Sequence, residues 1–135
     1  MTPFVAVRAG EAVTVHIKGG LLGHWSVWTR PAVELLEHIH AAVESGRPEF
    51  DLMALDSVIT DCNGAFFDAA NDFHGCIAGC HEVLRRQGLL EGIWCLDPGA
   101  GLGPGQMQEI DRVYAAYPEL NDDAFVRDNL EKWLS

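Results

Sequence analysis

Lysine is scarce in this chain of 135 residues, present only as Lys18 and Lys132. A lysine that forms Schiff bases needs an amine whose pKa is lowered by burial or by a neighbouring cation. Lys18 stands beside Gly19-Gly20 at the end of an expected strand, and Lys132 lies near the end of the sequence, so neither is expected to be buried. Cysteine and histidine cluster more densely, as His74, Cys76, Cys80 and His81, with Cys62 upstream and Cys95 downstream. Zinc takes thiolate and imidazole ligands in a tetrahedron, and Cys76 and Cys80 fall one helical turn apart. The spacing matches neither the paired zinc-finger patterns nor the haem-attachment pattern, so these thiols are read as small core residues and no metal is expected.

Other combinations fall short for stated reasons. Ser26 and His24 with any aspartate compose a triad on paper, but no nucleophile elbow surrounds Ser26. Gly99, Gly101, Gly103 and Gly105 suggest a phosphate loop, yet the Lys-Ser/Thr pair is missing and Pro104 removes an amide. A mobile connection is the expectation there. Asp56, Asp61, Asp68 and Asp72 follow one helix whose other face is apolar, which predicts a solvated acidic face. His38 and His40 are two apart on an expected helix, hence on different faces.

The elements that would position these groups follow from periodicity. Phe4 and Ala6, then Val13, Val15 and Ile17, alternate around Ala9-Gly10-Glu11, predicting a hairpin. Leu21 to Trp28 reads as a third extended run. Thr29 can cap a helix with Pro31 in its first turn, an apolar face of Val33, Leu36, His40 and Val43, and a stop at Gly46. Glu49 to about Asn71 is the clearest helix, with Leu55, Ile59, Cys62, Phe66 and Ala69 in one stripe. Cys76 or Ile77, Cys80, Val83 and Leu84 mark another, stopped at Gly88. Met107, Ile110, Val113, Tyr114 and Tyr117 mark a further helix ended by Pro118. Asp122 or Asp123 is expected to cap a last helix carrying Phe125, Val126, Leu130 and Trp133.

The stretch Val83-Leu84-Arg85-Arg86-Gln87-Gly88-Leu89, then Glu91-Gly92, an extended run into Leu96-Asp97-Pro98 and a helical segment from Pro104, resembles the tail of the dihydrodipicolinate synthase / N-acetylneuraminate lyase family of Schiff-base aldolases. Phe4 to Gly10 with Glu11 is similar to that family's seventh barrel strand, and Gly20 to Ser26 to its eighth. Val33 to Ser45 then resembles the eighth barrel helix. The resemblance implies an α+β, mostly helical unit: residues 1–28 as the last strands of a TIM-barrel-like unit, and residues 29–135 as a helical extension of about five helices. It also implies a lyase acting on pyruvate-type 2-keto acids, with Gly23 and Ser26 as the substrate contacts here. The family's Schiff-base lysine, its tyrosine and its threonine-rich loop precede the matched part. No catalytic residue is therefore assigned, no cofactor is expected, and the chain is expected to be catalytically incomplete by itself. Its expected partners are a second copy or a chain supplying the rest of the barrel. A helical interaction module without catalysis and a zinc module are the alternatives.

Composition narrows the partners further. A net charge of −11 argues against nucleic acid and against anionic membrane surfaces, both of which need clustered basic residues. With 48% hydrophobic residues the chain has material for one core and lacks any apolar run long enough to span a bilayer. No secretory signal precedes the four cysteines, so a cytoplasmic protein with reduced thiols is expected.

Overall fold

The computed structural model describes residues 3–20, 23–47 and 50–135. The chain is mostly helical behind a short two-stranded antiparallel sheet. Strands β1 (Phe4–Arg8) and β2 (Glu11–Val15) pair from Phe4 with Val15 to Arg8 with Glu11. Ala9 (φ 51°) and Gly10 (φ 84°) both lie at positive φ, the two-residue turn that matches strand twist. Helices α1 (Thr29–Ser45), α2 (Phe50–Phe66), α3 (Cys76–Arg86), α4 (Gln106–Ala116) and α5 (Asp123–Leu134) follow. Among the described residues, no helix is long and apolar enough to cross a membrane.

The core lies where α2, α3 and α4 meet the start of α1. Val27, Trp28, Cys62, Ala65, Phe66, Val83, Ile110 and Val113 are buried together. Trp28 makes T-shaped contacts with Phe66 and Tyr114, its ring centroid 4.9 and 5.0 Å from theirs. Its backbone is left-handed (φ 48°), unfavourable for a bulky residue, and the burial of the indole offsets that strain.

Several expectations change at this level. The expected third extended run is, over its described part, a single 3-10 turn at Gly23–Ser26, and Leu21 and Leu22 lie outside the described residues. The hairpin expected around Ala9-Gly10, by contrast, is present, with β1 and β2 as antiparallel neighbours joined by a tight turn. The helix expected from Glu49 to Asn71 ends at Phe66. Asp68 turns left-handed (φ 59°) and a separate 3-10 turn spans Ala69–Asn71, leaving Ala69 exposed. Residues 89–98 contain no strand.

The inward face of α1 is also not the expected one. Ala32 and Ala42 are its buried residues, while Val33 and Val43 are 43% and 47% exposed. Gly46 (φ 65°) does end the helix, and its amide bonds to the carbonyl of Val43. At the other end, Thr29 and Trp28 make no side-chain cap. The carboxylate of Asp122, from the far end of the sequence, accepts the amide of Arg30 at 3.1 Å instead. Its second oxygen accepts Gln87 Nε2 at 2.7 Å, so one anion ties the N-terminus of α1 to α3 and α5. The first amide of α5 is left to Asn121 Oδ1, 2.7 Å away.

Candidate functional site

Gly23 and Ser26, the residues that the resemblance would assign to substrate, lie on the 3-10 turn that leads into α1. Gly23 has a left-handed φ of 68°, and a Cβ there would lie 3.6 Å from the Phe67 ring. The position therefore favours glycine on backbone grounds alone. Ser26 is exposed. His24 between them is turned toward α2, where Nδ1–H donates to Asn63 Oδ1 at 3.2 Å. Burial holds the imidazole pKa below its ordinary value, against the opposing pull of that hydrogen bond. Ser26 and His24 thus form no nucleophile–base pair in this geometry.

The thiols behave as packing groups. Cys62 is buried, and its pKa is pushed up to about 11, first by desolvation. Cys80 is pushed up to about 11 for the same reason, with Cys76 as a secondary influence. Among the described residues, no three His, Cys, Asp or Glu side chains converge on a common point that could hold a metal ion. Elemental analysis of purified protein should find well under one zinc per chain. Stoichiometric zinc lost in Cys76→Ser would overturn that expectation.

The expected acidic face divides. Asp56 and Asp72 are exposed as expected. Asp61 accepts both terminal nitrogens of Arg112 at 2.8 Å and the Tyr117 hydroxyl at 2.8 Å. Asp68 is buried outright, at 2% exposure, and does local structural work. One of its oxygens accepts Asn71 Nδ2 at 2.6 Å and the other accepts the Gly75 amide at 2.9 Å, closing the loop between α2 and α3. The α-helical pattern missed this because the helix ends two residues earlier.

Asp61 carries a pH signature. The Arg112 guanidinium, and then the Tyr117 hydroxyl, hold its carboxyl down at about 2. Its folded value lies below the unfolded one, so its contribution is present above the unfolded pKa and disappears as pH falls toward 2. The carboxylate is a third exposed, and solvent screening keeps the effect modest. Urea titrations should show Asp61→Asn destabilised relative to the parent above pH 5, with the gap closing toward pH 2. A gap independent of pH would mean that the ion pair is not responsible.

Lys18 and Lys132 are exposed, as their sequence positions suggested. The carbonyl of Lys18 bonds to His40 Nε2 at 2.9 Å, which holds the base of the hairpin against α1. The glycine-rich connection is anchored at its far end. The Gly103 amide donates to Gln106 Oε1 at 2.9 Å, and a side chain at Gly103 would collide with Asp68.

Periodicity did not reveal a cavity of about 680 Å³ between the first half of α1, the end of α3 and α5. Val33, Leu84, Leu89, Phe125, Val126 and Trp133 give it apolar walls, and Arg30, Glu34, Glu37, Gln87 and Asp122 supply the polar groups. Arg30 is already occupied, 2.8 Å from Glu34 and stacked 4.5 Å over the Phe125 ring. The available signal was the apolar face of α1 led by Val33, which was read as facing inward. Gly23 and Ser26 do not line this cavity.

Comparison with family models, with curated proteins and with solved structures returned no match.

Proposed function

We propose that the chain is a C-terminal part of a lyase resembling dihydrodipicolinate synthase and N-acetylneuraminate lyase. In this reading it acts on a pyruvate-type 2-keto acid only after another polypeptide supplies the lysine-bearing strands. The observation that carries the reading is the exposure of β1. Phe4, Val5, Ala6 and Val7 are a continuous apolar run, yet Val5 and Val7 are 70% and 77% exposed and Phe4 is 49% exposed. Strands apolar on both faces belong inside sheets covered on both sides, and β1 has an unpaired edge on which such a sheet could continue. The five helices and the left-handed stop at Gly88 (φ 79°) fit the order of the resemblance. Gly23 and Ser26, just ahead of α1, are the groups assigned to substrate. Neither lysine has the buried setting that Schiff-base chemistry requires.

The test is trapping. Protein incubated with pyruvate and reduced with borohydride should keep its unmodified intact mass, because Lys18 and Lys132 are exposed and lack the buried setting that activates a Schiff-base lysine. Co-expression with a chain carrying the first six barrel strands should yield an adduct on that chain. Its yield should fall when Val5→Glu and Val7→Glu are introduced here. A near-stoichiometric adduct on Lys18 would overturn the reading, as would a complete absence of association with such a chain. A non-catalytic interaction module is the second reading, favoured by the open cavity beside α1.

A further inference from the structure

The β-hairpin and the cavity beside α1 have complementary properties. The strand register puts Val5, Val7, Ala12 and Thr14 on one face, and all four are exposed. An isolated two-stranded hairpin is marginal in water and needs a helix or further strands against its apolar face. Among the described residues, the base of the hairpin meets the second half of α1, where His40 bonds to the Lys18 carbonyl and His16 and Ile17 lie beside Val43. The cavity borders the first half of that helix, so the two features lie toward opposite ends of it.

Charge separates the two surfaces in the same sense. Residues 1–20 carry Arg8 and Lys18 against a single acid, Glu11, in a chain that is otherwise strongly acidic. The cavity presents Glu34, Glu37 and Asp122, and its one cation, Arg30, is already paired with Glu34. An adjoining depression continues the acidic surface with Glu119 and Asp128. An apolar protrusion with excess positive charge and an apolar cavity with excess negative charge therefore occur in equal numbers.

We propose that the hairpin of one copy seats its Val5–Val7 face in the α1–α3–α5 cavity of a second copy. Sheet face against helix is the ordinary way to cover both. A reciprocal exchange gives a closed pair with two identical contacts, as in most symmetric dimers. The inference needs no lyase activity and no completing chain: it concerns copies of this chain alone, although the Val5–Val7 face it uses is one that the lyase reading would also cover.

Light scattering and sedimentation of the full chain at micromolar concentration should give a dimer that weakens as salt rises, since the charge contribution is screened. Lys18→Glu and Glu37→Lys should each weaken dimerisation by about tenfold or more, and the double exchange should recover most of the loss. Circular dichroism on each variant should match the parent, because both positions are exposed. A monomer at these concentrations would overturn the proposal. So would a dimer indifferent to both exchanges, or one weakened by Lys18→Glu but by no change in the cavity. Pyruvate trapping with a completing chain reports separately on the lyase reading.

Discussion

Phe66→Ala is expected to cost about 3–5 kcal/mol, the range for removing a fully buried aromatic ring. Phe66 closes the last turn of α2 with no exposed surface. Its ring makes a T-shaped contact with Trp28, so truncation removes an aromatic pair as well as apolar area. Trp28 is held in a left-handed conformation, and losing its packing partner removes part of what offsets that strain. The effect should therefore exceed that of Cys62→Ala, one turn earlier on the same stripe, which removes only a small side chain. Urea unfolding followed by circular dichroism measures both. A loss below about 1 kcal/mol for Phe66→Ala would contradict the burial of this ring.

The stripe containing Cys62 and Phe66 was legible because period and burial coincide there. Cysteine and phenylalanine recur at a four-residue step, and the face they mark is the one that meets α4. On α1 the same reasoning selected the wrong face. Val33, Leu36 and Val43 compete with Ala32, Leu35, Ile39 and Ala42, and the smaller set packs because alanine allows close approach. Both faces are apolar, and periodicity cannot choose between them without knowing what lies opposite. The exposed face then contributes Val33 to the cavity. Sequence order likewise hid the cap of α1, since Asp122 stands far from Arg30 in the chain and serves it in space. The turn at Gly23–Ser26 was read as a strand from its apolar content, although Gly23 at positive φ breaks an extended run. The order of the helices and their stops at Gly46 and Gly88 came through because glycine in the left-handed region is a local signal.

The largest polar effect should come from a residue that periodicity passes over. Gln106 is 2% exposed at the first position of α4, and its amide joins segments remote in sequence. Nε2 lies 3.3, 3.2 and 3.1 Å from the carbonyls of Ala65, Phe66 and Gly75, while Oε1 accepts the Gly103 amide at 2.9 Å. The side chain thus ties the end of α2, the start of α3 and the glycine-rich connection to α4. Gly75 and Gly79 leave it room, because a Cβ at Gly75 would meet Oε1 of Gln106 and one at Gly79 would meet its Nε2. Gln106→Leu keeps the approximate volume and removes every one of these bonds. Each buried polar group left unsatisfied costs about 1–3 kcal/mol, so a total loss of about 3 kcal/mol or more is expected. Gln106→Glu replaces the donor with an acceptor facing three carbonyls. It should be at least as harmful near neutral pH, and less so in mild acid where the carboxyl carries a proton. Urea unfolding of both variants at pH 5 and pH 8 separates the two cases. Gln106→Leu should show little pH dependence relative to the parent, whereas Gln106→Glu should lose stability as pH rises. Equal behaviour of the two variants at both pH values would show that the side chain is not enclosed by these carbonyls, and that α2, α3 and α4 are joined by apolar packing alone.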